Sequence, residues 1–310
     1  MTMAYSARLA QVTRWKLHSA AMADSSPTVQ RRRLGDQVRK IREATGMTGA
    51  EVAARLECTQ SKVSKIEGGR SGIRPKELRE LLDIYEVKDQ ALRDQLLALA
   101  QAGNARGWWA RYSSSISPNY ASYIGFEAGA TQITAWEPMV IPGLLQTEEY
   151  AREVIRAGVR EIATEEIERR VEIRMRRQAQ LQKTNPRLWA ITDESALRRL
   201  VGGPALLRAQ LRHLVDVAGD NPRITVQVVP LAVGAFPGTQ GSLNVLSFDD
   251  APATVYVETI VGDVYPEDDD LQACMLAIEH LQATALGHDQ SIAMIRRVMR
   301  ELPPDEKGRG

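Results

Sequence analysis

The chain has 310 residues, a formal net charge of +1 at pH 7, and 44% hydrophobic and 25% charged side chains. This composition fits a globular protein of two or three domains with sizeable cores and excludes disorder throughout. No apolar run approaches the roughly 20 residues needed to span a bilayer, and the N-terminal segment lacks the pattern of a secretory signal. The two cysteines, Cys58 and Cys274, fall in different expected domains, so a disulfide framework is not expected.

Residues 1–29 carry only a weakly amphipathic stretch with Leu9, Val12, Trp15 and Leu17, ending in a Ser-Ser-Pro turn. They read as a flexible extension. Two alternatives stay open: Met22 as the natural start, and a basic arm using Arg8, Arg14 and Lys16 to reach a minor groove.

From 30 to 103 the pattern is that of a five-helix DNA-binding domain. A first helix spans about Arg31 to Ala44, with Leu34, Val38 and Ile41 on one face, and Gly46 ends it. Thr48 and Glu51 form a capping box ahead of Val52, Ala53 and Leu56. Ala53 falls where two helices should cross, a position that needs a small side chain. Thr59 caps a third helix, Gln60 to Glu67, in which Val63 and Ile66 face inward while Gln60, Ser61, Lys62 and Lys65 face elsewhere.

A helix entering the major groove needs long or hydrogen-bonding side chains at its N-terminal end and an apolar rear face. Gln60 suits adenine, Lys62 or Lys65 suits guanine or phosphate, and Ser61 and Ser64 suit either; Thr59, Arg70 and Arg74 complete the DNA-binding set. Pro75 opens a fourth helix with Leu78, Leu81, Leu82 and Tyr85 inside, and Asp89 caps a fifth that runs to about Ala102.

Charge supports this placement. Residues 31–74 hold eleven Lys and Arg against five Asp and Glu, and residues 1–30 hold three against one, so residues 75–310 carry a net −7. A positive field localised in this way gains affinity for DNA by releasing phosphate counterions, while the acidic remainder limits non-specific adhesion.

Gly103 to Gly107 reads as a hinge. Trp108, Trp109, Tyr112, Tyr120, Tyr123 and Phe126 then cluster in a chain that is only 5% aromatic. The cluster suits either core packing or a concave ligand or partner surface, with Trp108, Trp109 and Tyr112 as the candidate contacts. Beyond it, Thr147 caps a helix containing Tyr150. A long helix at 162–182 interleaves arginines with Glu165, Glu166, Glu168 and Glu172, the pattern of a solvated ion-paired face. Strands are expected at 188–192, 224–229, 243–248 and 254–259, and helices at 204–218, 268–286 and 289–301. The fold class is therefore mainly α with a small mixed β-sheet: the N-terminal helical domain plus a C-terminal α+β domain over 104–303, with a tail at 304–310.

No enzyme site is expected. His18, His213, His280 and His288 are scattered, and no zinc spacing, P-loop or nucleophile elbow is present. Asp193 and Glu194 read better as a helix cap than as an acid/base pair, and Asp268 to Asp270 as a helix start rather than a cation site. Neither a catalytic residue nor a metal or cofactor is expected.

With "TGAEVAARLECTQSKVSKIEGGR", residues 31–87 resemble the Cro/cI-type (XRE) helix-turn-helix family. Glu57 stands at the turn position where that family often has Gly, which requires a backbone geometry a non-glycine residue tolerates. The second half, with "IPGLLQTEEYAR", "RVEIRMRRQ", "DESALRR", "ITVQVVP" and "VYVE", resembles the C-terminal domain of WhiJ-like, antitoxin-like actinomycete regulators. The acidic loop Glu267 to Asp270 departs from that pattern. The resemblance implies a transcriptional regulator, often encoded beside a small partner protein. It would bind double-stranded DNA as a homodimer, because one short recognition helix covers too few base pairs, and with no span or secretory signal it is expected in the cytoplasm with the nucleoid. Its C-terminal domain would receive a small-molecule effector or a small protein encoded nearby. The alternative is an antitoxin-like protein that sequesters that small partner and autoregulates its operon.

Overall fold

The computed structural model describes residues 26–158, 163–259 and 262–304. The expectations for Arg8, Arg14, Lys16, Met22 and the segment up to residue 25 lie outside the described residues. Two compact units emerge. The first takes the chain up to Arg111 together with Ala121–Gly129 and Phe248–Pro252, and the second takes Tyr112–Tyr120, Ala130–Ser247 and the chain from Ala253. The chain thus crosses between the units several times rather than once near residue 103.

In the first unit, five helices follow one another: α1 Pro27–Thr45, α2 Gly49–Arg55, α3 Gln60–Glu67, α4 Pro75–Ile84 and α5 Gln90–Gly103. Residues 26–29 are not part of a flexible extension. Ser26 caps α1 by accepting from the Thr28 N–H, Pro27 takes the first helical position, and Thr28 and Val29 are buried. Leu34, Val38, Ile41, Val52, Val63, Ile66, Leu78, Leu82 and Leu96 form one continuous core.

The expected hinge is likewise tied down. A Cβ on Gly103 would sit 2.7 Å from the Arg31 side chain, and Asn104 Nδ2 donates to the Ile73 carbonyl at 3.1 Å. Bulk at Gly103 is therefore excluded by α1.

Next along the chain come a 3-10 turn at Trp108–Tyr112, α6 at Pro118–Glu127 and β1 at Gln132–Glu137. Neither α6 nor β1 follows from the sequence pattern. The later part of α6 belongs to the first unit, where a Cβ on Gly125 would collide with Thr28 Oγ1 at 1.9 Å. The Arg33–Asp250 ion pair at 2.8 Å adds the 248–252 loop to the same unit.

In the second unit, α7 Glu148–Gly158 and α8 Thr164–Thr184 lead to β2 Arg187–Asp193, and α9 Glu194–Arg198 and α10 Pro204–Asp220 lead to β3 Ile224–Val229. Then β4 Leu243–Ser247, β5 Thr254–Thr259 and β6 Gly262–Val264 form a meander, followed by α11 Asp268–Thr284 and α12 His288–Glu301. The sheet order is β3-β2-β1-β4-β5-β6, with β1, β2 and β3 parallel and the rest antiparallel. The caps read from sequence are present: Thr147 Oγ1 accepts from Tyr150 N and Asp193 Oδ1 from Ser195 N.

Register sorts the two faces of this sheet. Trp136 pairs with Ile191 on β2 and Leu243 on β4, and these side chains pack with Val245, Val255, Ile278 and Leu281 in a core that α11 covers. The other face is polar at one end, carrying Glu137, Asn244, Tyr256 and Glu258. On that unit, α7, α8, the β5–β6 hairpin and residues 115–120 line an open cavity of about 450 Å³.

Glu137 ends the central strand in a half-buried position. Burial, then the neighbouring Glu258 carboxylate, pushes its carboxyl from 4.5 up to about 7, against the pull of Arg174, Asn244 and Arg177. A carboxyl raised on folding holds its proton more tightly in the native state than in the unfolded chain. Its contribution is therefore full below about pH 4.5 and is lost as pH rises through about 7. We expect Glu137→Gln to remove a fall of about 1–3 kcal/mol in stability across that window. Urea unfolding of both proteins across this pH range checks it, and equal slopes would contradict the assignment.

Candidate nucleic-acid interface

α2, a four-residue turn and α3 form a helix-turn-helix whose start and stop signals are local. The Thr48–Glu51 capping box is complete, with Thr48 N–H donating to Glu51 Oε2 at 2.7 Å and Glu51 N–H to Thr48 Oγ1 at 3.2 Å. The Thr48 N–H and the Thr48 hydroxyl, both donating to Glu51 Oε2, hold the Glu51 carboxyl below its ordinary range. Thr59 Oγ1 accepts from Lys62 N–H at 3.2 Å and opens α3.

Between the helices, Glu57 has a φ of 51°, so it occupies the left-handed conformation that glycine adopts without cost. Cys58 N–H returns to the Ala53 carbonyl at 2.9 Å and closes the turn. The chain keeps the glycine geometry with a glutamate in it.

The sides of α3 divide as the sequence expects. Val63 and Ile66 are buried at 4% and 3% exposure, and Ala53 at 4% lies beneath the crossing. Thr59, Gln60, Ser61 and Lys65 are exposed, and Arg74 is exposed just before α4. Lys62 is differently placed. Its ammonium pairs with Glu77 in the first turn of α4, so any nucleic-acid contact by Lys62 competes with an internal ion pair. Arg70 Nη2 donates to Ser64 Oγ at 3.2 Å, joining two candidate residues to each other.

Sequence patterning missed the groups that aim α3. Glu67, the last residue of α3, is buried and takes a two-pronged bond from Arg42 of α1, Nε at 2.6 Å and Nη2 at 3.0 Å. Arg42 Nη1 also donates to the Met47 carbonyl at 2.9 Å. Gly35 makes this approach possible, because a Cβ there would lie 2.4 Å from the Ile66 and Glu67 carbonyl oxygens. The 25-residue spacing of Arg42 and Glu67 gives no periodic signal.

Trp108 and Trp109 fall in the first unit and Tyr112 in the second. Trp108 meets Trp109 edge-on at 6.0 Å, and Trp109 is 8% exposed, its ring packed over Gly107 and Gly125 in the first unit. Tyr112 belongs to the second unit, is 5% exposed, and lies under the Arg176 guanidinium at 5.8 Å. None of the three lines the 450 Å³ cavity. Among the described residues, no group of His, Cys, Asp or Glu is arranged to hold a metal ion, and no helix is long and apolar enough to cross a membrane.

Two family models match the chain. One, described as a helix-turn-helix domain, covers residues 33–96, which contain α2, the turn and α3. The other, described as a domain of unknown function (DUF5753), covers residues 120–297, more than half of the sequence. The chain belongs to the DUF5753 family. No curated protein and no solved structure matches it. The helix-turn-helix match supports an XRE-like arrangement at the N-terminal end. The DUF5753 region carries all six strands found among the described residues and most of the cavity lining; Ser115, Ile116 and Ser117, which also line the cavity, lie ahead of it.

A left-handed backbone costs a residue with a Cβ roughly 1–2 kcal/mol, part of which glycine returns through its freer unfolded chain. Glu57→Gly is therefore expected to stabilise the first unit by about 0.5–1 kcal/mol. Thermal unfolding should show a higher midpoint, and a lower one would contradict the strain at this turn.

Proposed function

We propose that this protein is a sequence-specific DNA-binding transcriptional regulator that lays α3 in the major groove of duplex DNA. The observation that carries the reading is the N-terminal end of α3: Thr59, Gln60, Ser61 and Lys65 are exposed while Val63 and Ile66 seal its rear. Gln60 matches the edge of adenine, Lys65 and Ser61 offer donors to guanine or phosphate, and Arg74 supplies a backbone contact. Arg70 and Ser64, bonded to each other, act as one unit beside the phosphates.

One short helix reads too few base pairs for useful specificity, so the protein acts as a homodimer on two half-sites about one helical turn apart. The DUF5753 domain pairs the copies and receives the signal. It performs no catalysis in this reading, and the protein works in the cytoplasm on nucleoid DNA.

Selection from a random duplex pool, followed by anisotropy titration at several salt concentrations, tests this reading. Gln60→Ala should cost about 1–3 kcal/mol on the selected site and relax the base preference there. Arg74→Ala should weaken all sequences alike and reduce the salt slope by about one. Glu77→Gln should tighten binding to any duplex, because it frees the Lys62 ammonium and removes an acid near the phosphates. Unchanged titrations for all three would contradict α3 as the reading helix.

A further inference from the structure

The 450 Å³ cavity of the second unit has the size of small-molecule sites and a wall of mixed sign. From α8 it receives Arg170 and Arg174, one turn apart, and from the β5–β6 hairpin it receives Glu258 and Asp263; Ile155 and Ile173 supply apolar surface. These charges are unequally committed. Asp263 is already used, accepting from Ser117 Oγ at 2.6 Å and from the Tyr256 hydroxyl at 2.9 Å, and so it fixes the hairpin.

Arg174 is not. Among the described residues its one hydrogen bond runs from Nη1 to the neutral amide oxygen of Gln146, and its Nε is buried without an acceptor. Arg170 spends only Nε, on Glu166 at 2.9 Å, which leaves its terminal nitrogens available on the cavity side of the helix. The Glu258 carboxylate has no hydrogen bond or ion pair among the described residues and is exposed to the cavity. Guanidinium groups satisfy themselves best on a carboxylate.

We propose that this cavity binds a small zwitterion of the amino-acid or short-peptide class, its carboxylate on Arg174 and Arg170, its ammonium at Glu258 and its apolar body against Ile155 and Ile173. This assignment concerns the second unit alone and stands whether or not α3 reads DNA.

Isothermal titration of the full chain with the standard L-amino acids and leucine-containing dipeptides tests it. At least one probe should bind saturably, and its N-acetylated and C-amidated forms should each bind at least about tenfold more weakly. Arg174→Met and Glu258→Gln should each weaken the same probe by a similar factor, with an unchanged far-ultraviolet circular dichroism spectrum. Glu258 is exposed, so its variant keeps the test decisive if the arginine variant does not fold. Absence of binding by every probe at about 10 mM would overturn the proposal. So would full affinity of the N-acetylated form, or wild-type affinity of Glu258→Gln.

Discussion

Two opposite charges meet inside the first unit, Arg42 on α1 and Glu67 at the end of α3, and their side chains are only 14% and 10% exposed. Removing both from water costs several kcal/mol per ion, so the pair is tolerated because the geometry is two-pronged and the third guanidinium arm finds the Met47 carbonyl. The pair raises the Arg42 guanidinium above its ordinary value, the bonds it donates to Glu67 outweighing desolvation. Beside it, burial and then the Glu67 carboxylate push the Tyr85 hydroxyl up. One cation thereby ties the C-terminal end of α3 to the entry of α2. The exposed end of α3 is aimed by contacts at its hidden end.

Gly35 and Gly69 act on the same junction. A Cβ at Gly35 would strike the last carbonyls of α3, and one at Gly69, whose φ is 70°, would strike the Arg32 backbone at 2.5 Å. Close backbone approach and a buried charge pair reinforce one another, since neither survives if the helices separate by the width of a methyl group. In the second unit the corresponding organiser is β1. It joins the parallel strands β2 and β3 to the antiparallel meander, and Trp136 Nε1 anchors it by donating to the Gly238 carbonyl at 3.0 Å.

Local chemistry made the helices of the first unit legible. Thr48, Glu51, Thr59, Pro75 and Asp89 each act within a few residues of their partners, and their caps appear where the sequence places them. β1 was hidden for a physical reason: Ile133, Thr134, Ala135 and Trp136 are all buried, so both faces are covered and no alternation remains to read. Ser26 to Val29 misled because a Ser-Ser-Pro turn and the cap of a proline-started helix look alike in sequence. The cavity was equally invisible, since Ser117, Arg174 and Glu258 converge only through tertiary structure. Exposure of Gln60 and Lys65 followed from the pattern; the engagement of Lys62 by Glu77 did not, because it joins two helices.

The most direct measurement is native-state hydrogen exchange of the α3 amides in the full chain carrying Arg42→Met, Glu67→Gln and both together. Removing one partner of a buried pair costs about 3–5 kcal/mol, so each single variant should lose protection across α3 by roughly a hundredfold or more. The double variant should lose far less than the sum of the two, which is the signature of direct coupling. Additive effects in the double variant, or protection within about twofold of wild type in both single variants, would show that this pair does not position the helix.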